Sequence, residues 1–329
     1  MRVFVTGGTG FLGRRVVQRL LAQGHQVRVL ARNPDKAAAV KALGAEIVLG
    51  DLGNIDAFKS SLRDCDCVVL VGARAISSGK WEEFVQENVV ATERMIDEAV
   101  AAGARRIVYV SSLGIFEIPR DGITITEDTD YDREPLLRGN YTRSKIDADR
   151  VAIAAARSGK PVVIVRPGRI YGHDHPLNQP LYLGRVKKKL PGGFCVVIGK
   201  SSYLTPISYV ENAADAVVAA ATVANVNGQA FNIVDDPDLT HKTYFRAVSR
   251  LPGFPRRYLF LPVGLFVPAL VVVDFLHRLV RRRPFSVAYQ LRRSGRSARY
   301  TTDSAQARLG WQPRVRLEDA LRETAVPAK

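Results

Sequence analysis

Tyr141 and Lys145 stand four residues apart in Tyr141-Thr142-Arg143-Ser144-Lys145, a spacing that sets a phenol and an ammonium on one face of a helix. A tyrosine with a pKa near 10 is a poor proton donor or acceptor at neutral pH unless a cation beside it stabilises the phenolate. Lys145 can supply that charge. Ser112, at the end of the apolar run Arg106–Ser111, can hydrogen-bond a substrate oxygen and hold it against Tyr141. Together these residues suit the movement of a proton to or from an oxygen while hydride moves at the attached carbon. A Tyr-x-x-x-Lys spacing alone is common. Here it follows a glycine-rich loop by about 130 residues, with a strand-end serine between them, and that order gives it weight.

The glycine-rich loop is Thr6-Gly7-Gly8-Thr9-Gly10-Phe11-Leu12-Gly13. Gly7 permits a tight turn, Gly10 lets the backbone approach a pyrophosphate, and Gly13 allows close helix–strand packing. The phosphates would sit on free N–H groups at a helix N-terminus, so Gly7, Thr9, Gly10, Phe11, Leu12 and Gly13 are expected to contact a nicotinamide dinucleotide. Tyr141 and Lys145 then also face the cofactor, Lys145 through the nicotinamide ribose. An acid at the end of the second strand would select NAD through the ribose hydroxyls. That position holds Ala31, followed by Arg32, which can pair with a 2′-phosphate. NADP(H) is therefore expected, with NAD(H) the alternative. Asp51 either meets the adenine end or caps the short helix after it. Gly199-Lys200-Ser201 resembles the end of a P-loop, but Phe194 stands where that motif needs glycine, and the match fails.

The elements that must position these groups alternate as in a parallel sheet. Strands are expected at Arg2–Thr6, Gln26–Ala31, Glu46–Leu49, Cys67–Gly72, Arg106–Ser111 and Val162–Arg166. Helices are expected at Gly10–Gln23, Asp35–Leu43, Trp81–Ala102 and Tyr141–Ser158, the third stopped by Gly103. After Pro167 the chain is loop-rich to about Leu204. Val210–Ala221 then reads as a helix, Ala230–Val234 as a strand, and the remainder as helical and basic. The expected fold is α/β, a Rossmann doubly wound parallel sheet. Its dinucleotide-binding domain spans 1–167, with 205–236 returning to it, and a smaller, mostly C-terminal substrate-binding lobe comprises 168–204 and 237–329.

The 329 residues carry a net charge of +16, which suits nucleic acid, an anionic membrane or an acidic substrate. No nucleic-acid-binding signature accompanies it, so nucleic acid is not an expected partner. Cys65, Cys67 and Cys195 read as buried reduced thiols rather than ligands or a disulfide framework. With a strand beginning at Arg2 and no signal sequence read before it, the expected location is cytoplasmic. Leu259–Val273 is apolar but broken by Pro262, Gly264 and Pro268, too short to span a bilayer. Eight arginines and one acid lie between Asp274 and Arg299. Segment 259–283 is accordingly expected to lie peripherally on the inner face of an anionic membrane, or to form a hydrophobic substrate mouth.

The chain resembles the extended short-chain dehydrogenase/reductases, the group of sugar-nucleotide epimerases, dehydratases, dihydroflavonol reductases and 3β-hydroxysteroid dehydrogenases. The likeness rests on Thr6–Gly13, Gly50-Asp51-Leu52, Asn88-Val89-Val90-Ala91-Thr92, Ser111–Phe116, Tyr141–Lys145, Arg166-Pro167-Gly168 with Tyr171-Gly172, Tyr209-Val210-Glu211-Asn212 and Leu309-Gly310-Trp311-Gln312-Pro313. It implies Ser112, not Ser111, as the serine of a Ser112–Tyr141–Lys145 triad. It also implies that Asp51 and Leu52 adjoin the cofactor, that Asn88 and Pro167 lie near it, and that Gly72 lines the nicotinamide cleft. Members commonly form homodimers through two long helices, here near Trp81–Ala102 and Tyr141–Ser158. The sequence departs from the family at Ala31, and at His173-Asp174-His175, where many members carry Pro-Gly after Tyr-Gly.

The expected activity is NADPH-dependent interconversion of a carbonyl and a hydroxyl on a hydrophobic, sterol- or lipid-like small molecule, with Tyr141 transferring the proton. The alternative is a sugar-nucleotide epimerase or dehydratase that keeps NAD tightly bound. A non-catalytic nucleotide-binding subunit docked on a membrane complex has no use for an intact triad.

Overall fold

The structure is a computed structural model and describes residues 1–75, 79–175, 194–281 and 286–325. Strands β1 (Arg2–Thr6), β2 (Gln26–Ala31), β3 (Glu46–Leu49), β4 (Cys67–Leu70) and β5 (Arg106–Val110) alternate with helices α1 (Phe11–Ala22), α2 (Pro34–Ala42) and α3. Helix α3 is continuous but composite: Trp81–Phe84, a π-helical stretch Val85–Val90, then Ala91–Ala101. Next come β6 (Ile123–Ile125), α4 (Asn140–Arg157), β7 (Val162–Pro167), β8 (Arg169–Tyr171), β9 (Phe194–Ile198), β10 (Ile207–Tyr209), α5 (Val210–Thr222), β11 (Ala230–Ile233) and α6 (His241–Val248). The chain ends with β12 (Arg257–Leu261), α7 (Val267–Arg281), α8 (Val287–Ser294), β13 (Ala298–Tyr300), α9 (Asp303–Leu309) and α10 (Leu317–Ala325).

Seven parallel strands form the central sheet in the order β11-β7-β5-β4-β1-β2-β3. Strands β4 and β7 are buried along their whole length, as expected of apolar runs covered on both faces. One face packs on α1 and α5 through Val16, Val17, Leu20, Ala213 and Val217. The other packs on α3 and α4 through Met95, Ile96, Ala148 and Ala152. Arg15 and Arg19 of α1 pair with Glu211 and Asp215 of α5 at 2.6 and 2.5 Å, tying the later helix onto the first. Strand order reverses between β1 and β4, which opens a crevice at the carboxyl ends of the strands, the usual ligand site of such sheets.

The lobe differs from its sequence reading. The remainder after residue 237 is not simply helical: β12 pairs parallel with β9, so the apolar segment begins as a strand at Arg257–Leu261 rather than as a helix. β13 pairs with β6 and β10 with β8. The lobe therefore also takes Ile123–Ile125 from the N-terminal half. α9, Trp311 and α10 pack on the main core, and Asn212 fixes them by accepting from the Arg314 and Val315 N–H groups, each at 3.0 Å. Residues 282–285, in the middle of the basic run, lie outside the described residues.

Candidate active site

A cleft of about 1160 Å³ runs along the carboxyl ends of the strands. Gly7, Thr9, Gly10, Phe11, Leu12 and Gly13 line it. Gly7 has φ +67°, and a Cβ on Gly13 would fall 2.1 Å from the Gly7 carbonyl oxygen; turn and helix approach so closely that only hydrogen fits. The N-cap, Gly10, offers no side-chain cap, and the first turn of α1 holds no acid. Its orphan N–H groups and dipole therefore face the cleft uncompensated, which fits a pyrophosphate.

Arg32, Asp51, Leu52, Gly72 and Pro167 also line the cleft. Arg32 is 71% exposed and lies 3.6 Å from Asp51 and 4.0 Å from Glu87. No carboxylate stands at the tip of β2 in the sequence, which reads Ala31-Arg32 there. Neighbouring elements bring two beside it. Asp51 is not the cap of the next short helix; its Oδ1 accepts from Gly53 N at 2.7 Å, closing the turn after β3.

Asn88 is a different case. It lies 2% exposed on the π-helical stretch, and does not line the cleft. Its Oδ1 accepts from Arg74 N at 2.7 Å, and its Nδ2 donates to Arg74 O at 3.2 Å and Ser144 Oγ at 2.8 Å. Ser144 in turn donates to the Tyr141 carbonyl at 2.8 Å. Asn88 thus fastens the loop after β4 to the helix that carries Tyr141, from behind the wall.

Ser112, Tyr141 and Lys145 line the same cleft. Ser112 Oγ accepts from Gly114 N at 3.1 Å, which orients the hydroxyl and leaves its proton for a substrate oxygen. Helix α4 is locked by a buried ion pair: Arg166 on β7 meets Asp149 through Nε at 3.2 Å and Nη2 at 2.7 Å, and Tyr131 Oη donates to the same carboxylate at 2.9 Å. Asp149 lies one turn beyond Lys145, so this pair fixes the height of both Tyr141 and Lys145 over the sheet.

The electrostatics differ from the expected depression of the Tyr141 pKa. Burial raises the phenol above its ordinary value. Lys145 Nζ is bonded not to Tyr141 but to Val110 O at 2.7 Å and Tyr109 Oη at 3.1 Å. Its own pKa falls to about 8 through burial, with Asp149 opposing the fall. Fold alone therefore supplies a neutral phenol beside an ammonium that retains its charge at neutral pH.

Several groups in the cleft carry no sequence signal of their own, namely Arg74, Arg138 and Arg293, and neither does Tyr109, buried behind Lys145. The one local hint is the place of Arg138, three residues ahead of Tyr141. The His173-Asp174-His175 segment is partly exposed and held at three points. Arg15 donates to His173 O at 3.0 Å, Arg14 reaches Asp174 at 3.3 Å, and the His175 ring meets Phe11 edge-on with centroids 4.8 Å apart. The three cysteines are buried and free, and the described residues hold no group of three His, Cys, Asp or Glu suited to a metal. No helix among the described residues is long and apolar enough to cross a membrane.

Comparison with known proteins matches residues 3–234 to the profile of the NAD dependent epimerase/dehydratase family. The chain is 29% identical to 4-hydroxy-2-methyl-3-oxo-4-farnesyl-3,4-dihydroquinoline-1-oxide ketoreductase of Stigmatella aurantiaca, over 98% of this chain and 96% of that enzyme. It is 26% identical to 2-alkyl-3-oxoalkanoate reductase of Shewanella oneidensis, over 97% and 84%. The crystal structure of gox2253 superposes with a TM-score of 0.82 at 24% identity, covering 98% of this chain and 96% of that one, which fixes the fold.

Proposed function

The chain belongs to the NAD dependent epimerase/dehydratase family, and from that premise we propose that it is an NADPH-dependent reductase of a carbonyl on a hydrophobic, sterol- or lipid-like substrate, or catalyses the reverse oxidation. That it is an NAD(P)-dependent oxidoreductase of the extended short-chain type follows from the family and its relatives. The finer reading rests on one observation: Ser112, Tyr141 and Lys145 line the same cleft as an uncapped, acid-free helix N-terminus. The two relatives named above are by name reductases of ketones with alkyl or farnesyl substituents.

Bound nicotinamide supplies or takes the hydride at the substrate carbon. Ser112 holds the substrate oxygen, and Tyr141 gives it the proton. A phenol kept protonated by burial suits the reductive direction. The Lys145 ammonium then meets the negative charge that the departing proton leaves on Tyr141.

Arg32 supports NADPH over NADH, because its two carboxylate partners lie at loose distances on an exposed side chain and such pairs contribute little. A 2′-phosphate would bind it by charge-assisted hydrogen bonds. Fluorescence titration should find NADPH bound about 10–100-fold more tightly than NADH, with Arg32→Ala closing the gap. Asp51 and Glu87 beside Arg32 favour the alternative, since carboxylates suit the ribose hydroxyls of NAD. NAD retained through purification would move the epimerase or dehydratase reading to first place.

The exposed face of α7 supports peripheral contact with an anionic bilayer. Asp274 is buried and accepts from Ser286 Oγ, Val287 N and Ala288 N at 2.5–2.9 Å, which ties one side of α7 to α8. Val272, Phe275 and Leu276 of α7, and Leu265 just before it, remain exposed, in a sequence rich in arginine. Sedimentation with vesicles containing phosphatidylserine is expected, weakening in high salt and lost in Phe275→Asp/Leu276→Asp. Failure to sediment with these vesicles at low salt would remove the membrane from this reading.

A further inference from the structure

We propose that the cleft carries an anion subsite, formed by Arg138 with Arg293, that takes a carboxylate on the substrate close to the reacting oxygen. The proposal rests on the reading of Tyr141 as proton donor and adds a charge requirement to it.

The subsite is built by local geometry. A 3-10 turn, Pro135–Arg138, ends at Gly139, whose φ of +86° lets the chain reverse into α4. Arg138 therefore stands three residues ahead of Tyr141, and both line the cleft. Arg293 arrives from α8 and donates through Nη2 to Phe116 O at 2.7 Å. Between the two guanidiniums lies Asp132, whose side chain is 0% exposed; it meets Arg138 Nη1 at 2.5 Å and Arg293 Nε at 3.2 Å. The same carboxylate also accepts from Tyr289 Oη at 2.8 Å and Glu134 N at 3.0 Å.

One carboxylate against two arginines leaves one positive charge over, and Asp132 is not itself in the cleft wall. Among the described residues, the acids that do line the cleft are Asp51 and Glu87, and both lie beside Arg32. Arg138 is only 9% exposed, and its Nε is buried with no hydrogen-bond partner among the described residues. Burial, and next the charge of Arg293, hold its pKa below the ordinary arginine value. A buried cation with unfilled donors is costly until an anion meets it. A planar guanidinium matches a carboxylate with paired hydrogen bonds.

The surrounding wall mixes the apolar Leu113, Ile118, Ile170 and Ala298 with two further cations, Arg169 and Arg296. The charge left over between Arg138 and Arg293, set among these apolar side chains, fits a carboxylate on a hydrophobic molecule.

The test uses a 2-alkyl-3-hydroxy fatty acid and its methyl ester as matched probes, oxidised with NADP+. Wild-type protein should prefer the acid in kcat/KM by about 30-fold, within the range of hydrogen bonds to charged groups, with the difference carried by KM. Arg138→Met should bring the acid-to-ester ratio towards one, and Arg138→Lys, which keeps the charge, should restore part of the preference. Equal use of acid and ester by the wild type overturns the subsite, whether or not Arg138→Met folds. So does an unchanged ratio in the variant, or competition by UDP against the acid. Oxidation of neither probe would overturn the underlying reductase reading, and the subsite with it.

Discussion

Tyr141→Phe is expected to lower turnover by about 10²–10⁴-fold, the contribution of a positioned acid or base, while the dinucleotide still binds. The change removes one hydroxyl from the cleft wall and leaves the aromatic ring to pack. Ser112 stays oriented by Gly114, and Lys145 stays bonded to Tyr109 and Val110, so neither depends on the lost oxygen. The pH profile carries the sign of the electrostatics. Lys145 is protonated below about pH 8 and neutral above it. Reductive turnover, which leaves negative charge on Tyr141, should therefore hold on the acid side and fall as pH rises through that value. A Tyr141→Phe enzyme with wild-type turnover would dismiss the phenol as the proton donor.

The second large effect belongs to the glycine loop, and it separates two glycines by what their missing Cβ would meet. At Gly10 the one close atom is the Gly7 carbonyl oxygen, 3.1 Å away, and the rest is open cleft. Gly10→Ala should therefore fold with near-normal stability yet weaken NADPH binding by at least about tenfold, because the methyl occupies the approach to the pyrophosphate. At Gly13 the Cβ would lie 2.1 Å from the same oxygen and 2.9 Å from the Gly8 Cα. Gly13→Ala must push the turn off the helix. It should lose about 1–3 kcal/mol of stability together with cofactor binding. Urea midpoints and NADPH titrations on the two variants separate these outcomes; equal stability loss in both would mean that the loop is set by something other than this contact.

The dinucleotide half was legible because its signals are local. Gly7, Gly10 and Gly13 each answer a backbone requirement within a few residues, and the strands beside them are continuous apolar runs. That Ser112, Tyr141 and Lys145 line one cleft was legible for the same reason: two residues four apart on one helix and one at a strand end. What sequence did not reveal depends on distant partners. β12 pairs with β9, so an apolar stretch that reads as the start of a helix is drawn into a sheet. Asn88, expected near the cofactor, lies on the π-helical stretch Val85–Val90 and is bonded to Arg74 and Ser144, partners that its own local sequence does not announce. Arg32 read as an unopposed cation until β3 and α3 brought Asp51 and Glu87 alongside. Arg138 and Arg293 come together only because Asp132 is buried between them, and nothing in the local pattern of any one of these residues announces the cluster.

Net hydride transfer with Tyr141 moving the proton is the claim on which the rest depends, and an isotope tests it directly. A 2-alkyl-3-hydroxy fatty acid deuterated at C3 would be incubated with NADP+ and either wild-type or Tyr141→Phe protein, and the released cofactor analysed by mass. The expected result is one deuterium on the nicotinamide for each alcohol oxidised by the wild type, and transfer lower by orders of magnitude in the variant. Contradiction would take one of two forms: label that never leaves with the cofactor, as in an enzyme that returns its hydride to the same substrate, or a Tyr141→Phe protein that transfers deuterium as fast as the wild type.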